Sequence, residues 1–310
     1  MKRITAAALA FALALLTLAS AAADSLSPLF AAADSLLFET ENVTLRGQAD
    51  FMLDGVRFKT AESVQVQDGW NASWQLKLRT PRGGEERESG FTITANGGRI
   101  YIIEAIHPGV YRTATDGAQR TILRNSVQAG LMRRFAAALA AQPEALLGAG
   151  TVEASDSADG PVIRVTLGGD VPELANTALN LFAAFAVKRY FGVDYDHLSW
   201  KANASMSDYL TVSQGLVASV RQLSLGRADL TFRLDGDGRL AGAEGSLSLN
   251  LLTARDGEHT LDITFRADVS GWGESSVADF DPEAFGVVLA EDAMDLSDLD
   301  FWDAYEDEYE

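Results

Sequence analysis

The chain has 310 residues, 47% of them hydrophobic, and a formal net charge of −19. That is enough apolar chain for one large domain or two small ones with a sizeable core. The acidic balance excludes a nucleic-acid-binding face, which needs clustered Lys and Arg, and disfavours attraction to anionic lipid headgroups.

Lys2 and Arg3 open the chain, Ile4 to Leu18 is nearly all apolar, and Ala21-Ala22-Ala23 precedes Asp24. This pattern predicts an export signal over residues 1–23, cleaved near Ala23. The alternative is a retained anchor, because the apolar stretch is almost long enough to span a bilayer. Cysteine is absent, so an exported chain must be held by its core rather than by disulfides. Asn-x-Ser/Thr triplets stand at Asn42, Asn71 and Asn203.

From Val43 to Leu53 apolar residues and Gly47 hold the odd positions, the period of a half-buried strand. Val56, Phe58, Val64 and Val66 continue on even positions. Trp74, Leu76 and Leu78, then Phe91, Ile93 and Ala95, alternate with polar neighbours. The stretch between them, "TPRGGEERES" at 80–89, reads as a polar loop. Asn96-Gly97-Gly98 is a turn, and Arg99 to Ile106 resumes as a strand.

The period then changes. Ile122, Val127, Leu131, Phe135 and Leu139 recur at helical spacing up to Pro143. A short hairpin follows, with Thr151–Ala154 and Val162–Leu167 flanking "SDSADGP". Asp170 can cap a second helix running to Gly192, apolar around most of its circumference through Leu174, Phe182 and Phe185. Residues 207–223 form a possible further helix, weakened by Gly215 and β-branched residues.

Period two returns at 225–270, where Leu230, Phe232 and Leu234, then Leu247, Leu249 and Leu251, then Leu261, Ile263 and Phe265 alternate with polar residues. Such strands suit an antiparallel sheet packed on one side. "FMLDG" at 51–55 and "FRLDG" at 232–236 echo one another, as in two related meanders. The end, 289–310, is an acidic tail interleaved with Leu296, Phe301, Trp302 and Tyr305. It reads as a solvating tail or as a segment that docks its aromatics on the body or on an envelope partner.

Asp235-Gly236-Asp237-Gly238 resembles the start of a calcium loop, but position 5 is Arg239 and position 12 is Ser246. The in-phase strands on both sides make it a hairpin bend. His107, His197 and His259 lack metal-ligand spacing, and there is no nucleophile elbow, Walker loop or dinucleotide fingerprint. No catalytic residue, metal site or cofactor is assigned, although a hydrolase site assembled only in three dimensions stays open. Trp74, Phe91, Phe135, Leu139, Phe182 and Phe185 are candidates to line an apolar cavity. The competing reading is that they fill a core.

The segments "WQLKLRTPRGG", "SGFTITANGGRIYIIEAIHPGVYRT", "LTFRLDGDGRLAGAEGSLSLNLL" and "HTLDITFRADV" resemble the successive strands of exported LolA-like carriers, the lipoprotein-carrier and mycobacterial LppX-like half-barrels. The resemblance covers residues 35–285. It implies an α+β fold in which a strongly curved, mostly antiparallel sheet wraps over two or three helices, with an apolar cavity between them for lipid or an acylated protein. The chain departs from that pattern by lacking a lipobox cysteine and by carrying the acidic tail.

The resulting expectation is a single domain at 24–288, comprising a sheet at 42–113, helix–hairpin–helix at 116–192 and a sheet at 225–270. Its function is non-enzymatic binding of a lipid or acyl chain in the periplasm or cell envelope, with at most transient membrane contact. The alternative is an envelope interaction or sensor module with a filled core.

Overall fold

A computed structural model describes residues 23–68, 71–82, 84–96, 99–104, 110–114, 150–169, 220–253 and 257–281, with Arg134, Val171–Glu173, Asn176, Thr177 and Asn180. The export signal up to residue 22 and the tail at 289–310 lie outside the described residues. So do His107-Pro108-Gly109 and most of the two helices expected at 116–192.

Alternation of apolar and polar residues produces eleven strands among the described residues. In chain order they are β1 (Asn42–Leu53), β2 (Val56–Asp68), β3 (Asn71–Arg82), β4 (Glu85–Asn96), β5 (Arg99–Glu104), β6 (Val110–Ala114), β7 (Thr151–Ser157), β8 (Gly160–Gly168), β9 (Val220–Leu234), β10 (Leu240–Thr253) and β11 (Glu258–Ser270). They form one sheet in the order β6-β5-β4-β3-β2-β1-β11-β10-β9-β8-β7. Every pairing is antiparallel. Two meanders, β1–β6 and β7–β11, therefore meet where β1 pairs with β11, which fits the echo seen in the sequence. The sheet is curved and unclosed, the half-barrel expected. Register shifts at Phe51/Met52, Leu240/Gly242, Ser248/Leu249 and Leu252/Thr253 are bulges, which bend strands and increase their twist.

One face is packed. Helix α1 (Ala23–Asp34) and a π-helical turn at Ser35–Glu39 lead into β1, with α1 against β7, β8, β9 and β10. Leu29, Ala32, Ala33 and Leu36 are buried in one cluster with Ile163, Val165, Leu167, Leu230, Phe232, Leu247 and Leu249. The sequence reading made nothing of this helix, although apolar residues at 29, 32, 33 and 36 are spaced as a helical stripe.

Two expectations are corrected. The polar "loop" at 80–89 is largely strand, with Thr80–Arg82 in β3 paired to Glu85–Arg87 in β4. Charge pairs replace apolar alternation there: Lys77–Glu88 at 2.9 Å, Arg79–Glu62 at 3.0 Å and Arg57–Glu86 at 2.8 Å. The possible helix at 207–223 ends instead in strand, since Val220–Leu223 belong to β9. There the β-branched and leucine residues pair with β10. Residues 207–219 lie outside the described residues.

The Asp-Gly-Asp-Gly segment is a hairpin bend between β9 and β10. Asp235 Oδ1 accepts the backbone N–H groups of Asp237 (3.0 Å) and Arg239 (2.8 Å), and Gly238 has φ +76°. The carboxylate is occupied by the turn itself.

Candidate functional site

The register orders the packed face into rows. In one row Leu76, Ser63, Gly47, Ala267, Ala243 and Phe232 follow one another across β3, β2, β1, β11, β10 and β9. The next row runs Leu78, Ala61, Ala49, Phe265, Gly245 and Leu230. Large side chains flank a centre of Ser63, Gly47, Ala267 and Ala243. At the usual strand spacing, that low centre is about 14 Å across. Gly245 is required by close approach, because a Cβ there would meet the backbone of Asp229 and Leu230.

Trp74 lies on this inner face, opposite Gln65 and Ile93, and is 4% exposed. Phe91 occupies the register position opposite Leu76, diagonal to Trp74. The sequence therefore placed these two on neighbouring strands of one row system. Phe135, Leu139, Phe182 and Phe185 lie outside the described residues. Trp74, Leu76 and Leu78 are buried, yet they stand apart from the cluster that α1 joins.

Sequence reasoning missed the polar side of this face. Across β1 and β2, Val43 faces Gln67, Leu45 faces Gln65, Gly47 faces Ser63 and Phe51 faces Lys59. Lys59, Gln65 and Gln67 are buried, at 6%, 4% and 6% exposure. Gln67 donates Nε2–H to the Thr40 carbonyl at 3.4 Å, tying the chain that enters β1. Burial pushes the Lys59 ammonium down to about 8. The even positions Val64 and Val66 fall on the other face, because the bulge at Phe51/Met52 inserts Phe58 and reverses the phase of β2. The rings of Phe51 and Phe58 lie 6.1 Å apart.

The same end of the sheet is pinned by Asp54. Its Oδ1 accepts the Thr260 N–H at 2.8 Å and its Oδ2 lies 2.7 Å from His259 Nδ1. The His259 hydrogen bond, then the Thr260 N–H, holds the Asp54 carboxyl below its usual value. At the opposite end, Asn42 Nδ2 donates to Asp68 Oδ1 and to the Ser275 carbonyl, both at 3.0 Å. Its amide therefore serves structure.

A depression of about 520 Å³ opens on the opposite, outer face, between Asp50, Arg164, Asp229, Glu244, Thr264 and Arg266. Several of its charged groups have local partners. Arg164 lies 3.6 Å from Asp229, Arg266 lies 3.5 Å from Asp268, and Asp50 accepts the Thr60 hydroxyl at 2.6 Å. Among the described residues no three His, Asp or Glu side chains gather to hold a metal, and no helix is long and apolar enough to cross a membrane.

This chain is similar to a LolA-superfamily structure. That structure is protein NE2245 from Nitrosomonas europaea, at 11% identity and TM-score 0.20 over 84% of this chain and 96% of that one. LprF from Mycobacterium bovis is similar at 12% identity and TM-score 0.34, over 84% of this chain and 97% of that one. The ywiB protein from Bacillus subtilis is similar at 9% identity and TM-score 0.16, over 76% and 98%. At these scores the overlaps are loose, and the fold assignment rests on strand order and register. No family model and no curated protein matches the chain.

Proposed function

We propose that the chain is an exported, non-enzymatic binding protein that holds a lipid or acyl chain against the inner face of its sheet. The observation that carries this reading is the row Leu76–Ser63–Gly47–Ala267–Ala243–Phe232, large at both ends and nearly bare in the middle. Small side chains there leave depth for a guest, with Leu76, Leu78, Phe265 and Phe232 as apolar neighbours in the two rows. Each methylene removed from water contributes about 0.8 kcal/mol, so covering half a dozen gives a gross gain of about 5 kcal/mol. Trp74 and Phe91 form one bank in this reading, and Phe135, Leu139, Phe182 and Phe185 are proposed for the opposing wall. The alternative, an envelope interaction module with a filled core, would bind its partners through loops or the acidic tail.

Native mass spectrometry of the purified full chain, together with titration by a fluorescent acyl probe, tests the proposal. Co-purified lipid or saturable micromolar binding supports it. A protein that leaves purification empty and binds no apolar probe rejects it.

A further inference from the structure

The reversal of β2 that turns glutamines inward puts Val64 and Val66, both half-buried, on the outer face. Val64 stands there between Arg46 on β1 and Gln75 on β3. Arg46 in turn stands opposite Asp268 on β11. Two more arginines meet that aspartate: Arg266 Nε lies 3.5 Å from its Oδ2, and Arg233 Nη2 lies 2.7 Å from its Oδ1. Arg233 belongs to β9, so its side chain crosses β10 to reach β11. It crosses at Gly242, where a Cβ would meet the guanidinium.

Three guanidinium groups thus gather around one carboxylate. Among the described residues, Glu244, opposite Arg266, is the one further carboxylate in register with them. Arg46 is exposed and forms no ion pair among the described residues. A guanidinium offers several N–H donors in a planar fork, so the patch has donors left for further carboxylates. The two valines beside it offer a seat for apolar rings.

The chain itself contains a segment of that mixed character. Residues 291–310 hold ten Asp and Glu and no Lys or Arg, interleaved with Phe301, Trp302, Tyr305 and Tyr309. The chain also leaves the sheet close by. Beyond β11, Asn42 holds the Ser275 carbonyl, and the Val277 N–H lies 3.4 Å from Asp68 Oδ2, two residues along β2 from Val66. Arg46 is four residues along β1 from Asn42, about 13 Å at the usual strand rise. The twenty residues from Asp281 to Phe301 can span up to about 66 Å, so the reach is ample.

We propose that residues 291–310 dock on the outer face of the sheet, with carboxylates on Arg46, Arg266 and Arg233 and rings against Val64 and Val66. The net charge of −19 repels free anions at a distance. A tethered segment escapes that handicap, because its attachment supplies an effective concentration of about millimolar order. Exposed ion pairs are individually weak, so the contact is reversible and sensitive to salt. This inference is independent of the binding reading above.

The chain has no cysteine, so Gln48→Cys, at an exposed position of β1 opposite Arg266, gives a single attachment point for bimane, a fluorophore quenched by tryptophan on contact. In the labelled full chain at low salt, adding Trp302→Phe should relieve the quenching. Raising salt from about 0.01 M to about 1 M shortens the Debye length from about 30 Å to about 3 Å and should raise emission about twofold in the chain that keeps Trp302, and not in Trp302→Phe. Arg46→Gln combined with Arg266→Gln should give the same rise at low salt. Should that double variant fail to fold by circular dichroism, the Trp302→Phe and salt comparisons decide without it. Emission that Trp302→Phe leaves unchanged overturns the inference, as does quenching that survives both high salt and loss of the two arginines. Binding of phosphatidylglycerol vesicles through Arg46 and Arg266, with no quenching by Trp302, overturns it in favour of a membrane as the occupant.

Discussion

The side-chain amide of Asn180 meets both the N–H and the carbonyl of Leu223. Leu223 N donates to Asn180 Oδ1 at 2.9 Å, and Asn180 Nδ2 donates back to the Leu223 carbonyl. Asn176, one helical turn earlier, accepts the Leu225 N–H at 2.8 Å. Strand β8 pairs with β9 only as far as Arg227, so Leu223 and Leu225 lie beyond its reach. Among the described residues, the two amides meet β9 backbone that lies beyond the end of its pairing with β8. Asn180→Ala leaves a donor and an acceptor of Leu223 without these partners, and should lower stability by about 1–3 kcal/mol in urea denaturation. Asn180→Asp keeps the acceptor and loses the donor, so it should fall between wild type and the alanine variant. An unchanged midpoint for Asn180→Ala would remove this account.

Lys59 should make the protein less stable at neutral pH than it needs to be. The ammonium titrates at 10.5 when unperturbed and at about 8 in the folded chain. Between those values the unfolded chain binds more protons, so this group's contribution to stability rises with pH across that window. Below about pH 8 the burial cost is present in full, on the order of 3 kcal/mol. The stability of wild type relative to Lys59→Met should therefore rise as pH goes from about 8 toward 10.5. Paired denaturation curves at pH 7 and pH 10 measure this. A difference that stays constant between the two pH values contradicts it.

Core substitutions should separate by burial. Phe232 is fully buried at the centre of the cluster joined by α1, and Phe232→Ala should cost about 3–5 kcal/mol. Val56, 68% exposed at the start of β2, should tolerate alanine within about 0.5 kcal/mol. Thermal melts of both variants check the contrast.

The β9–β10 bend should depend on one carboxylate. Asp235 Oδ1 accepts two backbone N–H groups, so Asp235→Ala should cost about 1–2 kcal/mol whether or not calcium is present. A stability that responds to added calcium in wild type and not in Asp235→Ala would reverse the reading of this segment as a turn.

Much of the sheet was legible because its strands have one buried face. Leu230, Phe232 and Leu234 announced β9, and Leu261, Ile263 and Phe265 announced β11, through period two alone. Trp74 was legible as a buried residue of β3 for the same reason. The reversal in β2 was not legible. Val64 and Val66 look like core residues in sequence, and only pairing with β1 reveals that Phe58 is an extra residue that turns them outward. The continuation of the β3–β4 hairpin through Glu85–Glu88 was hidden as well, since charged residues that pair across strands look like a solvated loop. Helix α1 had a visible stripe at Leu29, Ala32, Ala33 and Leu36, lost beneath the stronger signal pattern just before it. The polar half of the candidate site escaped because lysine and glutamine are ordinarily surface residues.

The seam between β1 and β11 has a consequence for how the chain comes to exist. Thr44 pairs with Ser270 and Leu53 with Leu261, so the two halves of the sheet are joined by the first strand and the last. Contacts so distant in the chain are slow to form and carry a large closure entropy. During synthesis the half-sheet that starts at β1 waits with its most apolar neighbour still unmade. The sheet is therefore complete only once β11 has been made and brought back to β1.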